Sequence, residues 1–173
     1  MLGEQIFIPR PGQPAPHHKE FVDPLPPLPL RGFGKPGGGL WTSTYETSAE
    51  DGCESWCATE MPHWLSDTGY VLTPNADANV LTISGGADVA DFVAAYGRMD
   101  DYLLRVDWAS IVADYDGLRI TNPYSPHVRF GEVSAFYGWD CESTWWTRWV
   151  FEQEEGRAVR CMLWEGGSDG NQA

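Results

Sequence analysis

Positively charged residues are scarce in this chain of 173 amino acids. Eleven lysines and arginines stand against 25 aspartates and glutamates, which gives a formal net charge of −14 at pH 7. Binding to DNA or RNA without sequence preference draws its affinity from cations on the phosphates. We therefore expect no stable non-specific binding to nucleic acid. The scattered acids favour solubility, or alternatively an acidic surface that imitates nucleic acid and occupies a DNA-binding protein.

Long apolar runs are also lacking, and no segment reaches the length of a membrane helix. Residues 1–16 lack the basic region and apolar run of a secretory signal. These absences predict no membrane contact and a reducing compartment, in which the four cysteines are thiols. Cys53 and Cys57, taken with His63 and Cys141, match no common zinc-ligand spacing. Buried thiols are therefore predicted, with no metal.

Proline is unevenly distributed, since nine of the thirteen prolines lie in the first 36 residues. Proline excludes helix and favours extended backbone. An extended arm is therefore predicted over residues 1–36, lying across the domain surface or serving as a ligand for a proline-reading domain. A globular domain is predicted over 37–165, followed by a flexible polar tail over 166–173.

Strand and helix patterns are mixed within the globular part, without regular strand–helix–strand units. Asp88 and Asp107 each precede an amphipathic helical stripe, and the capping box Thr47–Glu50 precedes a third. The apolar residues expected to be buried on these helices are Trp56, Phe92, Val93, Ile111 and Val112.

Stretches rich in β-branched and aromatic residues predict strands. The predicted strands are Leu40–Tyr45, Tyr70–Thr73, Val80–Ser84, Leu118–Ile120, Ser143–Phe151 and Ala158–Trp164. Most are expected to pair antiparallel, with helices packed on one side. The predicted fold class is therefore α+β, in a single domain.

The segment from Arg31 to Tyr45 joins a glycine-rich turn with two cations to a strand with aromatic and hydroxyl side chains. Glycine lets the backbone approach a ligand closely. In a nucleotide site, Arg31 or Lys35 would hold a phosphate and Trp41 or Tyr45 would stack on a ring. The same pattern also fits an ordinary turn that leads into a β-hairpin and binds no ligand.

A second candidate element extends from Phe136 to Trp146, where Asp140 and Glu142 flank a cysteine beside a predicted strand. In strand geometry these two carboxylates point to the same face. Aromatic surroundings would suit them to general-base work or to stabilising a cationic transition state. The alternative is an exposed strand end with solvated acids.

The order of these two elements resembles that of the ADP-ribosyltransferase superfamily, which includes diphtheria-toxin-like and Arg-Ser-Glu enzymes. Asp114–Ile120 also looks like the Tyr-Asp-Gly strand of its phage-borne members. More specifically, Lys35–Ser43, Trp56-Cys57 and Tyr137–Cys141 resemble small uncharacterised proteins of actinobacterial phages and prophages. That second resemblance covers residues 17–150 and names no activity.

The superfamily resemblance implies an ADP-ribosyltransferase-like fold and an NAD-dependent transferase. Such an enzyme would move ADP-ribose from NAD to a host or phage protein in the host cytoplasm. The resemblance gives Glu142 the role of the catalytic carboxylate, with Asp140 two positions before it. It gives Ser43 the strand hydroxyl role, with Thr42 as the alternative.

The same resemblance assigns the first position, which holds the nicotinamide side of NAD, to either His18 or Arg31. Trp41 or Tyr45 would stack on the nicotinamide ring. The assignment requires the first-position residue, Ser43 and Glu142 to converge on one pocket.

Two other function classes fit the composition. Aromatic side chains are common anchors of protein interfaces, so the nine tryptophans also suit a non-catalytic acidic phage protein that binds a host factor. A phage structural component is the third possibility.

Overall fold

A computed structural model describes residues 2–21, 36–100, 103–123, 136 and 138–163. Arg31, Lys35 and the tail over 166–173 lie outside the described residues. The α-helices are Cys53–Glu60 (α1), Gly86–Tyr96 (α2) and Trp108–Asp114 (α3). The strands are Gln5–Phe7 (β1), Leu40–Thr44 (β2), Thr68–Leu72 (β3), Val80–Ile83 (β4), Gly97–Asp100 (β5), Leu103–Val106 (β6), Gly117–Ile120 (β7), Ser143–Trp146 (β8) and Arg157–Arg160 (β9).

Seven strands form one sheet in the order β4-β7-β8-β2-β1-β3-β9, and β5 pairs with β6 in a separate hairpin. The β4–β7 pair is parallel, and the other neighbouring pairs of the large sheet are antiparallel. This confirms an α+β fold with a mostly antiparallel sheet. None of the helices in the described ranges has the length and apolar character needed to cross a bilayer.

Strand β8 is buried on both faces, which makes it the centre of the core. Successive side chains of a strand point to opposite faces. Trp145 packs with residues of α2 and α3 in one apolar cluster, while Trp146 packs with Leu72 and Phe151 in another. All four residues of β8 are buried.

The N-terminal segment enters the sheet, which corrects the predicted surface arm. Strand β1 lies between β2 and β3 and pairs with both, and Ile6 is only 1% exposed. The prolines begin at Pro9, so Gln5 and the apolar run Ile6–Ile8 are free to form a strand. A composition averaged over 36 residues concealed this run.

Helix α1 begins later than the capping box Thr47–Glu50 predicted. A 3-10 turn covers Tyr45–Thr47, and the helix begins at Cys53 with Gly52 as its N-cap. Gly52 lies against β2, where an added Cβ would come within 2.9 Å of the Ser43 Cβ. The helix therefore begins where the chain packs against β2, and not at the local capping signal.

Most of the other predicted elements are confirmed, with ends that differ from the predicted ones. Phe92, Ile111 and Val112 are buried as expected, whereas Trp56 and Val93 are half-buried. The predicted strand Ser143–Phe151 ends at Trp146, although Phe151 forms an isolated bridge with Pro74. The segment Ala158–Trp164 yields only β9, and residue 164 lies outside the described residues.

Asp107 is the N-cap of α3, as predicted. The Ser110 backbone N–H donates to Asp107 Oδ1 over 3.1 Å, and the Ser110 hydroxyl donates to Oδ2 over 2.9 Å. These two bonds, followed by the charge of Arg98, hold the pKa of Asp107 below its ordinary value of 3.8. A carboxylate with a lowered pKa in the folded state stabilises the protein above its unfolded pKa, and this contribution is lost on acidification.

We therefore expect Asp107→Asn to be less stable than wild type at pH 7, and the difference to shrink as the pH falls below 3.8. Asparagine keeps the N-cap acceptor, so the substitution isolates the charge. Urea unfolding of both proteins, measured from pH 7 down to below pH 3.8, checks the prediction. A difference that does not change with pH would contradict it.

Candidate functional site

A cleft of about 800 Å³ lies between the N-terminal segment, the start of β2, α1 and the segment before β8. Gly39 and Trp41 line it on one side, and Gly138, Asp140 and Ser143 line it on another. The two elements singled out in the sequence therefore flank a single cavity. Its volume lies within the range of small-molecule sites.

Tryptophan side chains form much of the cleft wall. Trp41 packs edge-on against buried Trp139, with 4.8 Å between ring centroids. The Trp56 and Trp64 centroids are 5.9 Å apart. The guanidinium carbon of Arg10 lies 4.1 Å from the Trp64 ring centroid, in a cation–π contact. The cleft is therefore bordered by an aromatic face that already holds a flat cation.

Three cysteines also line the cleft, namely Cys53, Cys57 and Cys141. The Sγ atoms of Cys53 and Cys141 are 3.4 Å apart. Cys57, Cys141 and Cys161 are buried as predicted, while Cys53 is half-buried. Burial, reinforced by the nearby charge of Glu54, raises the pKa of the Cys161 thiol to about 12. Cys161 is therefore an inert core thiol at neutral pH.

The Glu142 carboxylate is directed away from the cleft and into internal contacts. Its side chain is 6% exposed, and Oε1 accepts from Arg119 Nε over 3.0 Å in an ion pair. Oε1 also accepts from the Thr44 hydroxyl over 3.1 Å, and Oε2 accepts from the Thr44 backbone N–H over 2.8 Å. These contacts satisfy the carboxylate within the protein.

Asp140 and Glu142 do not share a face, contrary to the prediction. Asp140 lines the cleft, whereas Glu142 faces Arg119 and Thr44. Strand β8 begins only at Ser143, so the alternation of a strand does not apply to residues 140–142. Arg119 was missed in the sequence, although its place between buried Leu118 and Ile120 indicates a side chain on the opposite face.

The two β2 hydroxyls assigned to NAD binding are occupied by structural hydrogen bonds. Ser43 Oγ donates to the Glu142 carbonyl over 2.7 Å and accepts from the Cys53 N–H over 2.8 Å. Thr42 Oγ1 donates to Gln5 Oε1 over 2.9 Å and accepts from Trp146 Nε1 over 2.8 Å. These bonds tie β2 to its neighbouring strands and to the start of α1.

His18 and Tyr45 lie apart from the cleft lining. The His18 ring stacks on His17 with 4.7 Å between centroids and lies 6.5 Å from the Trp149 ring. Trp149 follows β8, whereas Glu142 precedes it. Tyr45 is half-buried in a 3-10 turn, where its N–H donates to the Glu4 carbonyl over 2.8 Å. The structure thus pairs Ser43 with Glu142 and brings Trp41 and Asp140 to the cleft.

No family model matches this chain, and comparisons with curated proteins and with solved structures gave no match. The resemblances to ADP-ribosyltransferases and to phage proteins therefore stay predictions from the sequence.

Proposed function

We propose that this protein binds a flat, positively charged ring in its tryptophan-lined cleft, and that this ring is the nicotinamide of NAD. The observation that carries the proposal is the Arg10 guanidinium on the face of Trp64, 4.1 Å from the ring centroid. This contact shows that a planar cation is stabilised on the aromatic wall of the cleft. NAD is the ligand that the sequence resemblance implies, and its oxidised nicotinamide ring is a planar cation.

Charge and size support this ligand class. The chain carries a net charge of −14, and Asp140 supplies a carboxylate to the cleft lining. Both favour the cationic ring, whereas the diphosphate of NAD is anionic and has Arg10 as a cation in the cleft lining. The volume of about 800 Å³ is large enough for a ligand of dinucleotide size.

ADP-ribosyl transfer in an ADP-ribosyltransferase-like fold is the reaction we propose for this site. In that reaction nicotinamide leaves with the bonding electrons, and positive charge develops on the ribose. A preorganised carboxylate stabilises that charge. Strand β2 pairs with β8, and the Ser43 hydroxyl donates to the main-chain carbonyl of Glu142. The Glu142 carboxylate, however, faces Arg119 and Thr44 and does not line the cleft as the resemblance requires. Asp140 is a carboxylate that lines the cleft, and we assign it the electrostatic role there.

A second candidate ligand is an arginine side chain of a host or phage protein. Arg10 shows that a guanidinium fits on Trp64, and a partner guanidinium would make the same contact by displacing Arg10. In this case the protein is a non-catalytic binding protein, and its acidic surface attracts a basic partner.

Calorimetric titration distinguishes these ligands. Oxidised NAD should bind, while reduced NAD, whose ring is neutral, and ADP-ribose, which lacks the ring, should bind at least about tenfold more weakly. An arginine-containing peptide that binds while oxidised NAD does not would favour the second candidate. Equal binding of oxidised NAD and ADP-ribose would contradict ring recognition. Release of nicotinamide by wild type, and its loss in Asp140→Asn, tests the transfer step.

Trp56→Leu should weaken the binding of oxidised NAD by about tenfold, because a ring contact of roughly 1.4 kcal/mol is lost. Leucine is apolar and suits a helix, so α1 should persist. Trp149→Leu is the matched control, since Trp149 is a half-buried indole in a different cluster. Equal affinities of the two variants would place the ligand elsewhere.

A further inference from the structure

A second group of side chains capable of binding a ligand lies away from the cleft. His17, His18 and Glu154 each place a ligand atom within 4.8 Å of the others. The histidines flank the start of a 3-10 turn in the N-terminal segment, and Glu154 belongs to the connection between β8 and β9. We propose that these three side chains bind a divalent transition-metal ion, with zinc as the reference ion.

The backbone fixes the two segments that carry these side chains. The His18 N–H donates to the Glu154 carbonyl over 2.9 Å, and the Gly156 N–H donates to the Pro16 carbonyl over 3.3 Å. His17 also forms an isolated antiparallel bridge with Glu155. Main-chain pairing therefore holds the two segments together, and the side chains adjust when an ion binds. Such preorganisation of the backbone lowers the entropic cost of binding an ion.

The buried ring nitrogen of His18 is a second observation that supports a metal site. Its Nδ1 is buried and has no hydrogen-bond partner among the described residues. A buried polar atom without a protein partner is unusual, and a bound ion is one explanation of it. The ring is held between His17, at 4.7 Å, and Trp149, at 6.5 Å between centroids. Metal coordination through Nδ1 would give this atom a partner, which none of the described residues supplies.

The donor set indicates the class of metal. Two imidazoles and one carboxylate suit zinc and other first-row transition ions, and three protein ligands leave a coordination position open for water or a substrate. His17 Nδ1 accepts from the Lys19 N–H over 3.0 Å. Lys19 is exposed, so water can replace this bond when the ring turns to the metal. Glu154 is exposed too and can move toward the ion.

Binding of the ion would join the segment before residue 21 to the β8–β9 connection. An ion that binds only the folded state raises the temperature of unfolding. Titration of the intact, reduced chain with Zn²⁺ should show one site and an increase in Tm. Because free thiols are also zinc ligands in general, the absorption spectrum with Co²⁺ has to be recorded in parallel to exclude the four cysteines. Intense thiolate-to-cobalt charge transfer would put the ion on the cysteines and overturn the proposal.

Variants identify the ligands. His18→Ala and Glu154→Gln should each weaken Zn²⁺ binding by more than about tenfold. Glu154→Gln keeps the shape of the side chain, so it separates ligation from folding. His63→Ala is the matched control, because His63 is an exposed histidine outside this group. Unchanged affinity in His18→Ala and Glu154→Gln, or no binding by wild type, would overturn the proposal.

Discussion

Glu142→Gln is expected to lower the free energy of unfolding by about 3 kcal/mol, because it leaves buried donors unpaired. Both oxygens of the carboxylate accept hydrogen bonds, Oε1 from Arg119 Nε and the Thr44 hydroxyl, and Oε2 from the Thr44 N–H. A glutamine amide has an NH₂ group in place of one carboxylate oxygen. That group would face an N–H of Arg119 or of Thr44 and could not accept its hydrogen bond. The substitution also removes the charge that balances Arg119.

Urea unfolding at pH 7 measures this loss. Glu50→Gln is the matched control, since Glu50 is exposed and should change stability by less than about 0.5 kcal/mol. A Glu142→Gln variant as stable as the control would show that the internal contacts of the carboxylate are not important for the fold. The prediction also affects any transferase assay, since loss of activity in this variant identifies a catalytic role only where the variant is folded.

Gly39→Ala should destabilise the protein by about 3 kcal/mol or more, because two costs combine. The glycine has φ +70°, a left-handed conformation that side chains disfavour. An added Cβ would also lie 2.5 Å from the Trp146 carbonyl oxygen and would clash with the Trp145 indole. Trp145 Nε1 donates to the Gly38 carbonyl over 3.1 Å, so the indole cannot move away without losing that bond.

Gly12→Ala separates the two costs. Gly12 has φ +84° with nothing within 4 Å of an added Cβ, so this variant experiences only the backbone strain of about 1–2 kcal/mol. Urea unfolding of both variants checks the comparison. Equal losses would mean that the contact of the added Cβ with Trp145 and Trp146 costs no stability. Because Gly39 lines the cleft, its alanine variant should also alter ligand binding.

Local sequence patterns predicted the elements whose own residues determine them. The stripe of Val89, Phe92, Val93 and Tyr96 became α2, and the β-branched run at Val80–Ile83 became β4. The hairpin of β5 and β6 was missed, because its strands carry charged residues and lack a continuous apolar alternation. Strand β1 was missed because neighbouring prolines dominated the composition.

The site was only partly predictable, for a geometric reason. Patterns near Trp41 and Asp140 indicated two ligand-facing elements, and both reach the same cleft. Whether a given hydroxyl or carboxylate faces a ligand depends on register and on the residue at which a strand begins. A shift of one residue reverses every side chain. Ser43 and Glu142 therefore face partners that lie far away in the sequence, and no local pattern identifies those partners.

The position of β8 beside β2 has a consequence for synthesis on the ribosome. Trp146 and Thr42, hydrogen-bonded across this pair, are 104 positions apart in the chain. The strands β1, β2 and β3 emerge first and can pair with one another, but one edge of β2 stays uncovered until β8 is made. Contacts of such long range slow folding, and an open strand edge invites association between nascent chains. The net charge of −14 counteracts this association, because like-charged chains repel one another before β8 covers the edge of β2.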